Sequence, residues 1–164
     1  MKSTKMALIA LLVALTAIGA AIKIPAVIGS VALDAFPALL AAALLGGPSG
    51  AVVGAMGHLL SALIGGMPMG PFHGIVAIEM AILAFMFAAF YQKGLKWQAG
   101  VLFVIGNAFV APLPFLFLMS KEFYLSIVPS LFIGSTMNTV LAFIITPRLA
   151  KLIEPILSKA RAQQ

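Results

Sequence analysis

Six apolar runs occupy most of the chain, at about residues 6–22, 33–47, 49–66, 73–91, 98–119 and 124–146. An α-helix needs roughly 20 apolar residues to cross a hydrocarbon core about 30 Å thick. Most of the runs come close to that length. The second and third are short and meet at the tight turn GGPSG, 46–50, which predicts a helical hairpin. GGMPMGP at 65–71 and the charged QKGLKW at 92–97 separate later runs. The runs are continuous rather than alternating and rich in Ala and Leu, which speaks against a β-barrel. Backbone polar groups in lipid must be satisfied internally, so helices are what remains. With 63% of residues hydrophobic and only 9% charged, water is the wrong solvent for most of the surface. The expected fold is an all-α integral membrane protein, a six-transmembrane-helix bundle forming one membrane domain over residues 1–164.

Charge placement predicts the orientation. With the N-terminus inside, Lys2, Lys5, Lys93, Lys96, Arg148, Lys151, Lys159 and Arg161 fall on the cytoplasmic side, against only Lys23 and Lys121 outside. That excess predicts N-in and C-in. Lys2 and Lys5 ahead of an apolar run also resemble a signal peptide, but the run leads straight into further membrane elements and is read as a retained span. In the tail 147–164, Leu149, Leu152, Ile153, Ile156 and Leu157 recur at helical spacing among basic residues. The tail is therefore expected as an amphipathic cytoplasmic segment on the inner membrane surface. Trp97, the single tryptophan, falls at the inner interface as an anchor.

Several function classes drop out. No cysteine is present, so there is no thiolate nucleophile or Cys-based metal site. No P-loop, HExxH or GxSxG occurs, and the net charge of +6 sits between spans and in tails rather than on a nucleic-acid-binding face. His58 and His73 are too far apart to share one helical face as metal ligands. Neither a cofactor nor a metal is expected.

A polar group inside a membrane is costly and by default marks a site or pathway. Asp34 opens the second run and reads either as the N-cap of its helix, with Pro37 in the first turn, or as a ligand contact at the outer mouth. His58 lies near the middle of the third run with Ser61 three residues on, on the same face. His73 starts the fourth run, and Glu79 lies six residues deeper with His58, His73 or Lys23 as its natural partners. Asn107 and Asn138, in the fifth and sixth runs, serve either as interhelical glue or as amide contacts to a ligand. On the inferred topology these groups converge on a cavity open to the outside, with the inner half nearly free of polar groups. Phe36, Phe72 and His73 are available to stack a flat ring.

Ala7, Ala10, Ala14, Ala17 and Ala21 recur at spacings of three and four, a small-residue ridge that permits close helix approach. This serves either packing inside the bundle or docking of a partner.

These features resemble the S components, the substrate-binding membrane subunits of energy-coupling factor (ECF) vitamin transporters. The likeness lies in the six-span plan, in the ridge ALIALLVALTAIGAA, and in the stretch VALDAFPALLAAALLGGPSGAVVGAMGHLLSAL. The resemblance implies capture of a vitamin or precursor from outside a prokaryotic plasma membrane. Delivery would follow through a transmembrane coupling (T) subunit and two cytoplasmic ATPases. Ala10, Ala14, Ala17 and Ala21 would form the docking face, and the loops 23–31 and 65–72 would close over the ligand. Nickel and cobalt members begin Met-His, whereas this chain begins Met-Lys-Ser, which points away from a metal substrate. The stretch LDAFPALL…GHLLSAL is similar to subunits linked to cobalamin lower-ligand precursors such as alpha-ribazole. The competing readings are a stand-alone proton-coupled transporter with Glu79 and His58 as relay, and an intramembrane enzyme, for which no motif is present.

Overall fold

A computed structural model describes residues 2–25 and 30–162. The first apolar run forms α1, Lys2–Ala21, followed by two short antiparallel strands, β1 (Lys23–Pro25) and β2 (Ser30–Ala32), in the register Lys23↔Ala32. Then come α2 (Phe36–Leu45) and α3 (Gly47–Ile64), a 3-10 turn at Gly70–Phe72, and α4 (His73–Tyr91). The chain continues through α5 (Lys96–Ile105), a π-helical segment at Gly106–Val110, α6 (Leu113–Leu118) and α7 (Lys121–Ala162).

Among the described residues, five helical stretches are long and apolar enough to cross a membrane. The second run departs from the expected full span. Its helix, α2, has 10 residues, a rise of about 15 Å, half a bilayer core. The residues before it are drawn into β2 and the link to α2. The short α2 is nevertheless the centre of the core: Leu39, Leu40, Ala41 and Ala42 are fully buried. A helix apolar all round is stable only when neighbours surround it, and α1, α3, α4 and α7 all pack on α2.

The ends of the chain also differ from a simple span-by-span plan. The sixth run and the tail form one helix of 42 residues, with Pro129, Pro147 and Pro155 inside it and no break at residue 147. In the tail part, Ile153 is buried in the core, with Leu149 and Leu157 packed alongside. The fifth run is interrupted instead. Pro112 lacks the N–H that would continue the helical ladder. The preceding turn widens, with Ala111 N–H bonding to Gly106 O at 2.7 Å, five residues back. The Phe109 carbonyl accepts from the Tyr124 hydroxyl of α7 at 3.2 Å.

Close helix approach fixes α3, which carries His58. A Cβ on Gly57 would stand 2.8 Å from Thr16 Oγ1 of α1, so only glycine permits this α1–α3 distance. On the other side α3 packs along α4. The outward face of α1 holds the alanine ridge: Ala7, Ala10, Ala14 and Ala21 are exposed and Ala17 is half-buried, while Leu12, Thr16 and Ala20 turn inward.

Candidate functional site

A cavity of about 440 Å³ lies between α2, α3, α4 and the first half of α7. It gathers Asp34, His58, Ser61, His73, Asn107 and Asn138, residues from five separate parts of the chain. Lys23 lines it from β1, and Gly65, Pro68 and Met69 line it from the loop between α3 and α4. The loop 65–72 thus contributes to the cavity wall. Of the loop 23–31, residues 26–29 lie outside the described residues, and the flanking parts pair as β1 and β2.

The start of α2 is built differently from the simplest expectation. Asp34 does not cap the helix; the cap position falls on Ala35, whose own side chain makes no capping bond. The first amides are held from a distance by Asn138 of α7. Its Oδ1 accepts from Ala35 N–H at 3.0 Å and Phe36 N–H at 2.8 Å. Its Nδ2 donates to the Ala32 carbonyl at 2.9 Å and the Gly134 carbonyl at 2.8 Å. Asn138, buried, therefore lines the cavity with its amide fully spent on backbone. Because the capping work is done by Asn138, the Asp34 carboxylate is released to meet Ser61, whose hydroxyl donates to it.

The two histidines face each other. His58 Nε2 and His73 Nδ1 are 3.1 Å apart, with ring centroids at 5.2 Å. His73 Nε2 lies 3.4 Å from Met69 N. A backbone N–H can only donate, so Nε2 of neutral His73 is the acceptor and its proton sits on Nδ1. That proton is donated to His58 Nε2, which leaves the His58 proton on Nδ1. The chain of bonds thus runs from the loop (Met69) through His73 to His58, which lines the same cavity as Asp34.

Asn107 sits in the π-helical segment and donates to Ser135 Oγ at 2.8 Å, and Ser135 donates to Leu131 O at 2.6 Å. π-Segments often occur at functional sites. Here the widened turn holds Asn107 at the cavity wall.

Glu79 stands apart. It is not among the residues lining the cavity, and its Oε2 is buried with no hydrogen-bond partner among the described residues. The expected pairing with His58, His73 or Lys23 is not formed. The reason is angular: six residues of α-helix turn through about 600°, which leaves Glu79 about 120° away from His73 around α4. Val76 and Met80 line the cavity from α4 instead. Phe36 and Phe72 are likewise not among the lining residues. Phe36 is buried in the core, and Phe72 packs edge-on against Phe115 at 6.1 Å.

Phe123 also lines the cavity wall, and sequence reasoning missed it. It belongs to a stripe on α7 that includes Ile127, Ser130, Leu131, Gly134, Ser135 and Asn138. Their spacings of three and four residues placed them on one helical face with Asn138, and that periodicity was the available signal.

Apolar helices of membrane-crossing length around a cavity lined by both polar and apolar side chains define a multi-pass membrane protein with a small-molecule pocket. The sequence matches the family model described as ECF transporter, substrate-specific component, over residues 4–158. The chain belongs to that family, whose members are membrane transport subunits rather than enzymes. Comparison with curated proteins gave no match, and neither did comparison with solved structures.

Proposed function

We propose that this chain captures a vitamin or vitamin precursor in the cavity between α2, α3, α4 and α7, with alpha-ribazole or a related cobalamin lower-ligand precursor as the substrate. In this reading both termini are cytoplasmic and the cavity opens to the outside of a prokaryotic plasma membrane. The loaded chain then associates with a transmembrane coupling subunit and two cytoplasmic ATPases. Asp34, Ser61, His58 and Asn107 supply the polar contacts, and Phe123 supplies an apolar ring face, while His73, its ring nitrogens held by Met69 and His58, orients His58. Asn138 holds the start of α2 in place rather than touching the ligand.

The observation that carries the reading is the convergence of Asp34, Ser61, His58 and His73 on one cavity in a chain matched to this family from residue 4 to 158. The outward ridge on α1 supplies a face on which a coupling subunit can sit. A proton-coupled transporter is less well supported, because the carboxylate expected in its relay, Glu79, stands outside the cavity lining.

The test is uptake of labelled alpha-ribazole by cells expressing the chain with and without its coupling module. Uptake is expected only with an intact ATPase. Uptake that persists without any ATPase and follows the pH gradient overturns the reading. Mass spectrometry of the small molecule that co-purifies decides the ligand.

A further inference from the structure

Most polar side chains around the cavity are already committed to the protein. Asn138 spends both amide hydrogens and its oxygen on backbone groups. Ser135 accepts from Asn107 and donates to Leu131 O. His73 uses both ring nitrogens, one toward Met69 and one toward His58. Asp34 is different. Ser61 is its one hydrogen-bond partner among the described residues and meets only Oδ2. A carboxylate offers about four acceptor positions and no donor. Much of the surrounding wall is apolar, with Val76, Met80, Phe123, Ile127 and Leu131.

A carboxylate shut away from water beside such walls is costly unless donors surround it. A ligand that fills the cavity displaces water from Asp34 and must replace those donors itself. The neighbouring His58, with its proton on Nδ1, adds a complementary donor. Asp34 therefore asks for a ligand edge that donates, and His58 for an acceptor elsewhere on the same ligand, a combination that an amino- or imino-nitrogen heterocycle supplies.

Resting on the reading of this cavity as the ligand pocket, we propose that Asp34 is a specificity determinant that selects ligands presenting N–H or O–H donors, cationic or weakly basic nitrogen heterocycles above all, and rejects carboxylate-bearing ligands. A carboxylate placed against Asp34 would bring two like charges together in a site with little water to screen them. Lys23 lines the same cavity but is exposed on β1, where water and salt screen its charge, whereas Asp34 is partly buried, so Asp34 governs the selection.

The test is calorimetry on the purified full-length chain in nanodiscs with four probes. Thiamine carries a permanent cation and an aminopyrimidine edge, alpha-ribazole is neutral and weakly basic, and pantothenate and biotin are carboxylates. At least one of the first two is expected to bind 100-fold or more tightly than either acid. Asp34→Asn keeps the side-chain shape but removes the charge, and should weaken that binding 30-fold or more while the thermal unfolding midpoint stays near the parent's. The selectivity of the parent is informative without any variant. Failure of both donor probes to bind, an acid that binds as tightly as they do, or parental affinity in Asp34→Asn overturns the proposal. Dependence of uptake on the coupling module is a separate readout, so the transport reading stands or falls independently.

Discussion

Asn138 Oδ1 accepts the backbone N–H of Phe36 at 2.8 Å, across 102 residues of sequence. A helix N-terminus leaves its first amides unpaired, and a local Ser, Thr, Asp or Asn usually takes them. Here α7 supplies that cap, and the same amide group also ties down Ala32 and Gly134. The link between β2 and α2, which carries Asp34, is held to α7 by three hydrogen bonds to one side chain. The position of the Asp34 carboxylate in the cavity therefore depends on a residue whose own amide has nothing left to offer a ligand.

Asn138→Ala leaves two buried N–H groups without their acceptor and two carbonyls with one partner fewer. At about 1–3 kcal/mol for an unsatisfied buried group, and with partial relaxation, the loss of stability should reach roughly 3 kcal/mol. Asn138→Asp keeps the acceptor and loses the donors, and should fall between the two. Thermal unfolding in detergent, with ligand affinity measured alongside, checks both. Parental stability in Asn138→Ala would mean that the cap contributes nothing.

The α1 end is a second, more distant handle on Asp34. Gly19 accepts the Leu33 N–H through its carbonyl at 3.1 Å, and a Cβ at Gly19 would collide with the Leu33 carbonyl oxygen. No side-chain adjustment relieves a clash with backbone, so Gly19→Ala must push the segment 33–34 away from α1. Binding is expected to weaken by roughly tenfold, about 1.4 kcal/mol, although Gly19 is not among the cavity-lining residues. Isothermal titration of the variant tests this, and unchanged affinity would contradict it.

The two histidines should respond unequally. On the proposed reading His58 meets the ligand in the cavity it lines together with Asp34, so His58→Ala should cost tenfold or more in affinity. His73→Ala removes the acceptor of Met69 N–H and the donor to His58, each a hydrogen bond worth about 1 kcal/mol. Its effect should be smaller at equilibrium and show itself as faster ligand release, because the loop 65–72 loses its tie to the site. Stopped-flow dissociation rates distinguish the two, and an equal loss through association rate in both variants would argue against the loop linkage.

How much of this was legible in the sequence differs from residue to residue. The helical membrane class followed from solvent physics, and the meeting of Asp34, His58, Ser61 and His73 followed from the scarcity of polar residues within the runs. What was not legible depended on tertiary partners. The cap of α2 comes from 102 residues away, so Asp34 was the natural local candidate. The second run looked like a span because its apolar character is continuous, yet that character reflects burial among neighbouring helices. Glu79 was misplaced for a reason the sequence did contain: six residues do not return to the same helical face. The continuation of α7 through Pro147 could not be read from a rule in which proline ordinarily ends or kinks a helix.

Glu79 yields a prediction opposite in sign to that for a ligand contact. Its Oε2 is buried without a hydrogen-bond partner among the described residues, and the side chain lies away from the cavity. Replacing a buried polar group that has no partner removes a desolvation penalty of about 1–3 kcal/mol. Glu79→Leu should therefore unfold at a higher temperature than the parent and bind ligand within twofold of it. A large loss of affinity would place Glu79 in the site after all.

The ridge on α1 separates binding from transport. Ala10 and Ala14 are exposed, while the opposite face of the helix, with Leu12 and Thr16, packs into the bundle. A bulky residue at Ala14 meets lipid in the isolated chain, so Ala14→Trp should leave ligand affinity and unfolding temperature close to parental. In the assembled transporter the same indole would occupy the space a coupling subunit needs, since small residues are what let two helix backbones approach closely. Uptake should fall at least tenfold, and co-purification of the coupling subunit should fall with it. Thr16→Trp, on the inward face, is the contrasting variant: Thr16 is fully buried beside Gly57, and overpacking there should destabilise the chain itself. If Ala14→Trp instead loses ligand binding while keeping the coupling subunit, the ridge serves the bundle and not the partner.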